Sequence, residues 1–151
     1  MKSDIVQLSV ALMVLIAAAA AETLLPKFSG VGFPLLLAAA TVFGGRWTFL
    51  RAELFGVAAG AFEDAICSLP MAMSAVYFFA AAAAMRKFSL SPWSIIPFYV
   101  VYQLWIIIWV PLSLGGFCNR LLLAVPTAAA AMLLTLPVLH YLSRKAALDE
   151  D

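Results

Sequence analysis

The chain is predicted to be an all-α polytopic membrane protein with six transmembrane helices and both termini in the cytoplasm. Three observations carry this. Of 151 residues, 66% are hydrophobic and only 11% charged, whereas a soluble domain carries about 25% charged residues. Apolar runs approaching the roughly 20 residues needed to cross a bilayer recur from one end to the other. The basic residues, finally, fall almost entirely on one side of the map those runs define.

The spans are read at residues 4–23, 31–47, 52–69, 71–86, 94–116 and 121–142, forming a single integral membrane domain over 1–151. The first, "MKSDIVQLSVALMVLIAAAAAE", has the layout of a signal peptide. Because the rest of the chain is equally apolar, it is read as a retained first helix. The second is short, since its strictly apolar part runs from Val31 to Phe43 and Gly44-Gly45-Arg46 follows. A turn at Ser68-Leu69-Pro70 joins the third and fourth. Pro26, Pro34, Pro92 and Pro97 are placed in loops or near helix starts, where a missing N–H costs little. Pro111, Pro126 and Pro137 fall inside or near the ends of the last two spans and are read as kinks.

With the N-terminus inside, Lys2, Arg46, Arg51, Arg86, Lys87, Arg144 and Lys145 are cytoplasmic, and only Lys27 and Arg120 are outside. Omitting the second span would move Arg46 and Arg51 outward and spoil this bias. Trp47, Trp93 and Tyr141 then lie at the cytoplasmic interface. The tail "SRKAALDED" reads as the solvated end of the last helix, and the alanine runs at 17–21, 80–84 and 128–131 as close-packing surface.

Several kinds of chemistry are excluded. The net charge is +1 with no basic cluster, so nucleic acid is not a partner. The one histidine, His140, sits at the inner end of the last span and reads as an interfacial polar tip. No metal or cofactor motif is present, and no catalytic residues are expected. Cys67 and Cys118 both fall on the outer side, where a disulfide between them is allowed; the plainer reading is two small apolar thiols. Tyr102, Trp105 and Trp109 share a helical face of packed or lipid-facing aromatics, and Gln103 is expected to bond to another helix.

The third span carries the unusual stretch "GVAAGAFEDAICSLP". Gly56 and Gly60 form a GxxxG that lets a helix approach closely. Glu53, Gly56, Gly60, Glu63 or Asp64, and Cys67 share one broad face. A carboxylate in the bilayer costs about 2.5–3.5 kcal/mol on insertion scales, so the acids must face protein or water. Lys27, Asn119 and Arg120 are the outer polar partners expected for them. Three readings follow: an outward snorkelling acid, a polar pin for helix packing or a partner interface at Gly56, Gly60, Glu63 and Asp64, and an ion site. No second ionisable chain within the spans is expected to extend a pathway, which disfavours the last.

"WTFLRAELFGVAAGAFEDAICSLPMAMSAVYFFAAAAAMRK" resembles the central segment of the rod shape-determining protein MreD family. Gly60 and Asp64 match its Gly-x-x-x-Asp-like pattern, and Arg86-Lys87 its basic exit. Where the family often has a Gly after the short turn, this chain has Leu69-Pro70. The resemblance implies a non-enzymatic subunit of the elongation machinery in the bacterial inner membrane. Its expected partner is the membrane-anchored scaffold MreC, and through it the MreB filament and peptidoglycan synthases. The implied fold is similar to the substrate-binding subunits of energy-coupling-factor transporters. That similarity supplies the alternative, a vitamin-binding transporter subunit, whose docking motif Ala17 and Ala21 match in spacing.

Overall fold

The computed structural model describes residues 2–29, 32–44, 49–70, 72–109 and 113–148. Among the described residues six α-helices follow in order: α1 Lys2–Ser29, α2 Leu35–Gly44, α3 Phe49–Cys67, α4 Met73–Lys87, α5 Ile95–Trp109 and α6 Leu114–Leu148, with a 3-10 turn at Pro92–Ser94 leading into α5. No strand occurs among the described residues. Gly45, Arg46, Trp47 and Pro111 lie outside the described residues, as do the side chains of Arg51, His140, Tyr141, Arg144 and Lys145.

Three segments are long and apolar enough to cross a membrane: Leu8–Ser29, Pro92–Trp109 and Leu114–Pro137. Their outward faces are apolar, with Leu8, Leu12 and Ile16 on α1, Leu104 and Ile108 on α5, and Leu122 and Leu133 on α6 all exposed. So much apolar surface suits lipid rather than water as the surrounding solvent. The opposite stripe of α1, Ala11, Leu15 and Ala18, is buried at helical spacing.

The short α2 is the centre of the bundle. Its ten residues give a length of about 15 Å, half a hydrocarbon core. It packs against each of the other five helices, and Leu35 to Val42 are all buried. An all-round apolar helix belongs inside protein or lipid, and here it is protein that encloses it. The Thr41 hydroxyl is accommodated by bonding back to the carbonyls of Leu37 and Ala38 at 3.0 Å.

Two expected boundaries move. Pro26 lies inside α1, which continues to Ser29, rather than in a loop. Gly115, Gly116, Cys118, Asn119 and Arg120 lie in the opening turns of α6, which then runs without a break past Pro126 and Pro137. In lipid-like surroundings unpaired backbone groups are costly, which favours continuing both helices despite the hydrogen bonds lost at the prolines.

α3 and α4 form the most extensive helix pair. Their joint is a Schellman-type end: Ser68 takes a left-handed φ of 52°, and Leu69 N–H donates to the Asp64 carbonyl at 2.9 Å. α4 ends the same way, with Ser89 at φ 47° and Leu90 N–H donating to Met85 at 3.0 Å. Ala72, just before α4, is also left-handed, at φ 70°.

Candidate functional site: the α3–α4 joint and the polar cavity beside it

Helical spacing of 100° per residue separates the two adjacent acids of α3 into different environments. Asp64 turns toward α4. It is 5% exposed, and its Oδ1 accepts from Ser74 N–H at 2.8 Å. Ser74 is the second residue of α4, so Asp64 serves as an N-cap supplied from the neighbouring helix. The local N-cap position is Ala72, whose side chain cannot cap. The positive end of the α4 dipole adds to the attraction.

Gly56 and Gly60 occupy the same face. A Cβ at Gly60 would lie 2.4 Å from Ala75 Cα and 2.5 Å from Ala75 N. A Cβ at Gly56 would lie 2.8 Å from the Phe78 carbonyl oxygen. The GxxxG face is therefore filled by α4 of the same chain, and a partner's helix has no room there. Of the two uses expected for Gly56 and Gly60, helix packing or a partner interface, the structure shows helix packing within the chain.

An aromatic layer secures the far side of α4. The Tyr102 hydroxyl and Ser74 Oγ are 2.5 Å apart, Tyr77 donates to the Phe98 carbonyl at 2.5 Å, and Trp105 Nε1 donates to the Met73 carbonyl at 3.2 Å. Tyr77, Phe78 and Tyr102 pack ring against ring, with centroids 5.1 Å apart for Tyr77–Tyr102 and 5.4 Å for Phe78–Tyr102. Of the three residues expected on one face of α5, Tyr102 is buried, Trp105 is half-buried and Trp109 is exposed.

Glu63 turns the other way, into a cavity of about 530 Å³ bounded by α1, α3, α5 and α6. Glu22, Glu63, Tyr99, Tyr102, Gln103 and Arg120 contribute polar groups to its wall. The carboxyl groups of Glu22 and Glu63 adjoin one another. Glu22 also faces the backbone N–H groups of Leu35 and Leu36 at the start of α2, where the helix dipole favours an acid. Pro26 lacks the N–H that would reach the Glu22 carbonyl four residues earlier.

Sequence reasoning missed Glu22. The sequence predicts no second ionisable side chain that extends a pathway within the spans, yet Glu22 and Glu63 meet. The available signal was that Glu22 ends an alanine run near the same depth as Glu63. Gln103 was expected to bond to another helix; instead no described residue hydrogen-bonds its side chain, although it is only 6% exposed. Arg120, an expected outer partner, does line the cavity, while Lys27 and Asn119 do not. Glu53 is buried, with its Oε1 unpartnered among the described residues.

Cys67 and Cys118 are both free and exposed. The disulfide allowed by the sequence is not formed, because the Cys67 thiol is directed to Glu63 Oε1 at 3.6 Å, toward the cavity that Cys118 does not line. Among the described residues no group of three or more His, Cys, Asp or Glu side chains is placed to hold a metal. No family model matches the chain, and no curated protein or solved structure matches it closely enough to identify it.

Proposed function

We propose that this chain is a six-span, non-enzymatic inner-membrane subunit of the bacterial cell-elongation machinery, of the MreD kind. It would link an MreC-like scaffold, and through it an MreB-like filament, to peptidoglycan synthesis. Both termini lie in the cytoplasm in this reading, as the bias of Lys and Arg indicates. The short α2 counts as a span because protein rather than lipid surrounds it, which relaxes the length a lone helix needs.

The observation that carries the reading is the unity of the motif. Gly60, Asp64 and the Arg86-Lys87 exit, which bear the resemblance, belong to one helical hairpin. Gly60 admits α4 and Asp64 caps it, so the pattern has a geometric purpose. Depletion of the protein in its host tests the proposal: rod-shaped cells should become round, and unchanged shape would contradict it.

The cavity favours a second reading, a substrate-binding subunit of an energy-coupling-factor type transporter. Its volume of about 530 Å³ is in the range of small-molecule sites, and it opens on the outer side of the proposed topology. This reading requires co-purification with an ATP-hydrolysing module.

A further inference from the structure

We propose that the cavity between α1, α3, α5 and α6 binds a small zwitterion carrying a primary ammonium group beside an anionic group. The inference stands on the cavity's own chemistry and goes beyond the scaffold reading, which neither requires nor excludes a ligand.

Two carboxyl groups adjoin at one place in the wall. Glu22 Oε2 and Glu63 Oε2 are both buried and have no hydrogen-bond partner among the described residues. Acceptors left this way in a low-dielectric site are costly unless a donor reaches them. A primary ammonium group brings three N–H donors and a compensating charge. A quaternary ammonium brings the charge and no donor, so it does not complete the site.

Gln103 points to a ligand independently of the acids. Its side chain lines the cavity, is 6% exposed and lacks a partner among the described residues. Its amide atoms are reachable from the cavity rather than sealed in protein, so a polar group of a ligand can bond them there. Its position leaves the cavity as the place from which a bonding group can come.

Arg120 supplies the other pole. It is an exposed member of the lining in the second turn of α6, and the buried oxygens of Glu22 and Glu63 are not paired with it. A guanidinium held in the same wall as two acids, without neutralising them, matches a molecule with both charges. Tyr99 and Tyr102, with ring centroids 6.3 Å apart, add aromatic surface that also suits a cation.

Two sources offer this chemistry: a free amino-acid-like solute, and the head group of an ethanolamine phospholipid. The full chain would be purified in detergent and, in parallel, placed in nanodiscs of equal phosphatidylethanolamine and phosphatidylcholine. Native mass spectrometry reads the retained lipid, and thermal unfolding in detergent is followed with glycine, phosphoethanolamine or phosphocholine added. Selective retention of phosphatidylethanolamine supports the site and names the lipid as the source. Stabilisation by glycine or phosphoethanolamine but not phosphocholine, without lipid selectivity, supports it and names a solute. Glu63→Gln and Arg120→Gln should each weaken the effect by about tenfold or more, the loss of one charge-assisted contact. Arg120 is exposed, so its variant keeps the test valid should Glu63→Gln impair folding. Equal retention of both lipids with no stabilisation by any probe would overturn the proposal, as would full binding in the Arg120 variant.

Discussion

Asp64 Oδ1 accepts the backbone N–H of Ser74 at 2.8 Å, so the end of α3 caps the start of α4. The chain has no Ser, Thr, Asn or Asp at the α4 N-cap, where Ala72 stands. Asp64→Ala should therefore destabilise the protein by about 1–2 kcal/mol, the usual worth of a cap. Asp64→Asn keeps a carbonyl acceptor and should retain most of it. Unfolding in detergent micelles measures the difference, and equal stability of the two variants would refute the capping role.

Gly60 sets a sharper test because two effects oppose. Alanine is favoured over glycine in a helix by about 1 kcal/mol. The added methyl, however, would lie 2.4 Å from Ala75 Cα, and overpacking costs about 1–3 kcal/mol or more. The obstruction is backbone, which cannot rotate away, so Gly60→Ala should be net destabilising. Ala75→Gly should not rescue it, since removing the Ala75 methyl leaves Cα and N in place. Rescue in the double variant, read by thermal unfolding, would show that the helices are farther apart.

Left-handed residues give a prediction of the opposite sign. Ala72 is exposed, precedes the helix and holds φ 70°. An L-residue there costs about 1–2 kcal/mol that glycine avoids. Ala72→Gly should raise the unfolding temperature, with Ser68→Gly and Ser89→Gly, at φ 52° and 47°, behaving alike. A lower unfolding temperature in all three would contradict these turns.

The buried pair of Ser74 and Tyr102 predicts strong coupling. Their hydroxyl oxygens are 2.5 Å apart, and Tyr102 and Ser74 are at most 1% exposed. Tyr102→Phe or Ser74→Ala alone strands one hydroxyl, at about 1–3 kcal/mol. The double change strands none and should cost less than the sum. An additive cycle would mean that the two groups do not interact.

Much of this architecture was legible in the sequence, and the reasons it stopped being legible are physical. Apolar runs and breaks at Ser68-Leu69-Pro70 locate the helices, because local composition governs helix formation in an apolar setting. Gly56, Gly60 and Asp64 were recognisable as one face, since helical spacing is local too. That α4 rather than another protein fills that face depends on tertiary packing, which spacing does not encode. Glu22 and Glu63 are 41 positions apart, and only the bundle brings them together. Pro26 was misplaced because proline is a weaker helix breaker here than in water, and Gln103 because a polar residue in a span was assumed to meet a protein partner. The two cysteines are set apart by the same packing: Cys118 belongs to α6, and Cys67 faces Glu63.

The reading as an elongation-machinery subunit is tested most directly by what accompanies the protein when it is isolated. The affinity-tagged full chain, extracted from host inner membranes in mild detergent, would be analysed by quantitative mass spectrometry of the co-purifying proteins. The expected result is near-stoichiometric recovery of a membrane-anchored, coiled-coil MreC-like scaffold. Recovery of an ATP-hydrolysing pair with its membrane coupling subunit, and no such scaffold, would contradict it.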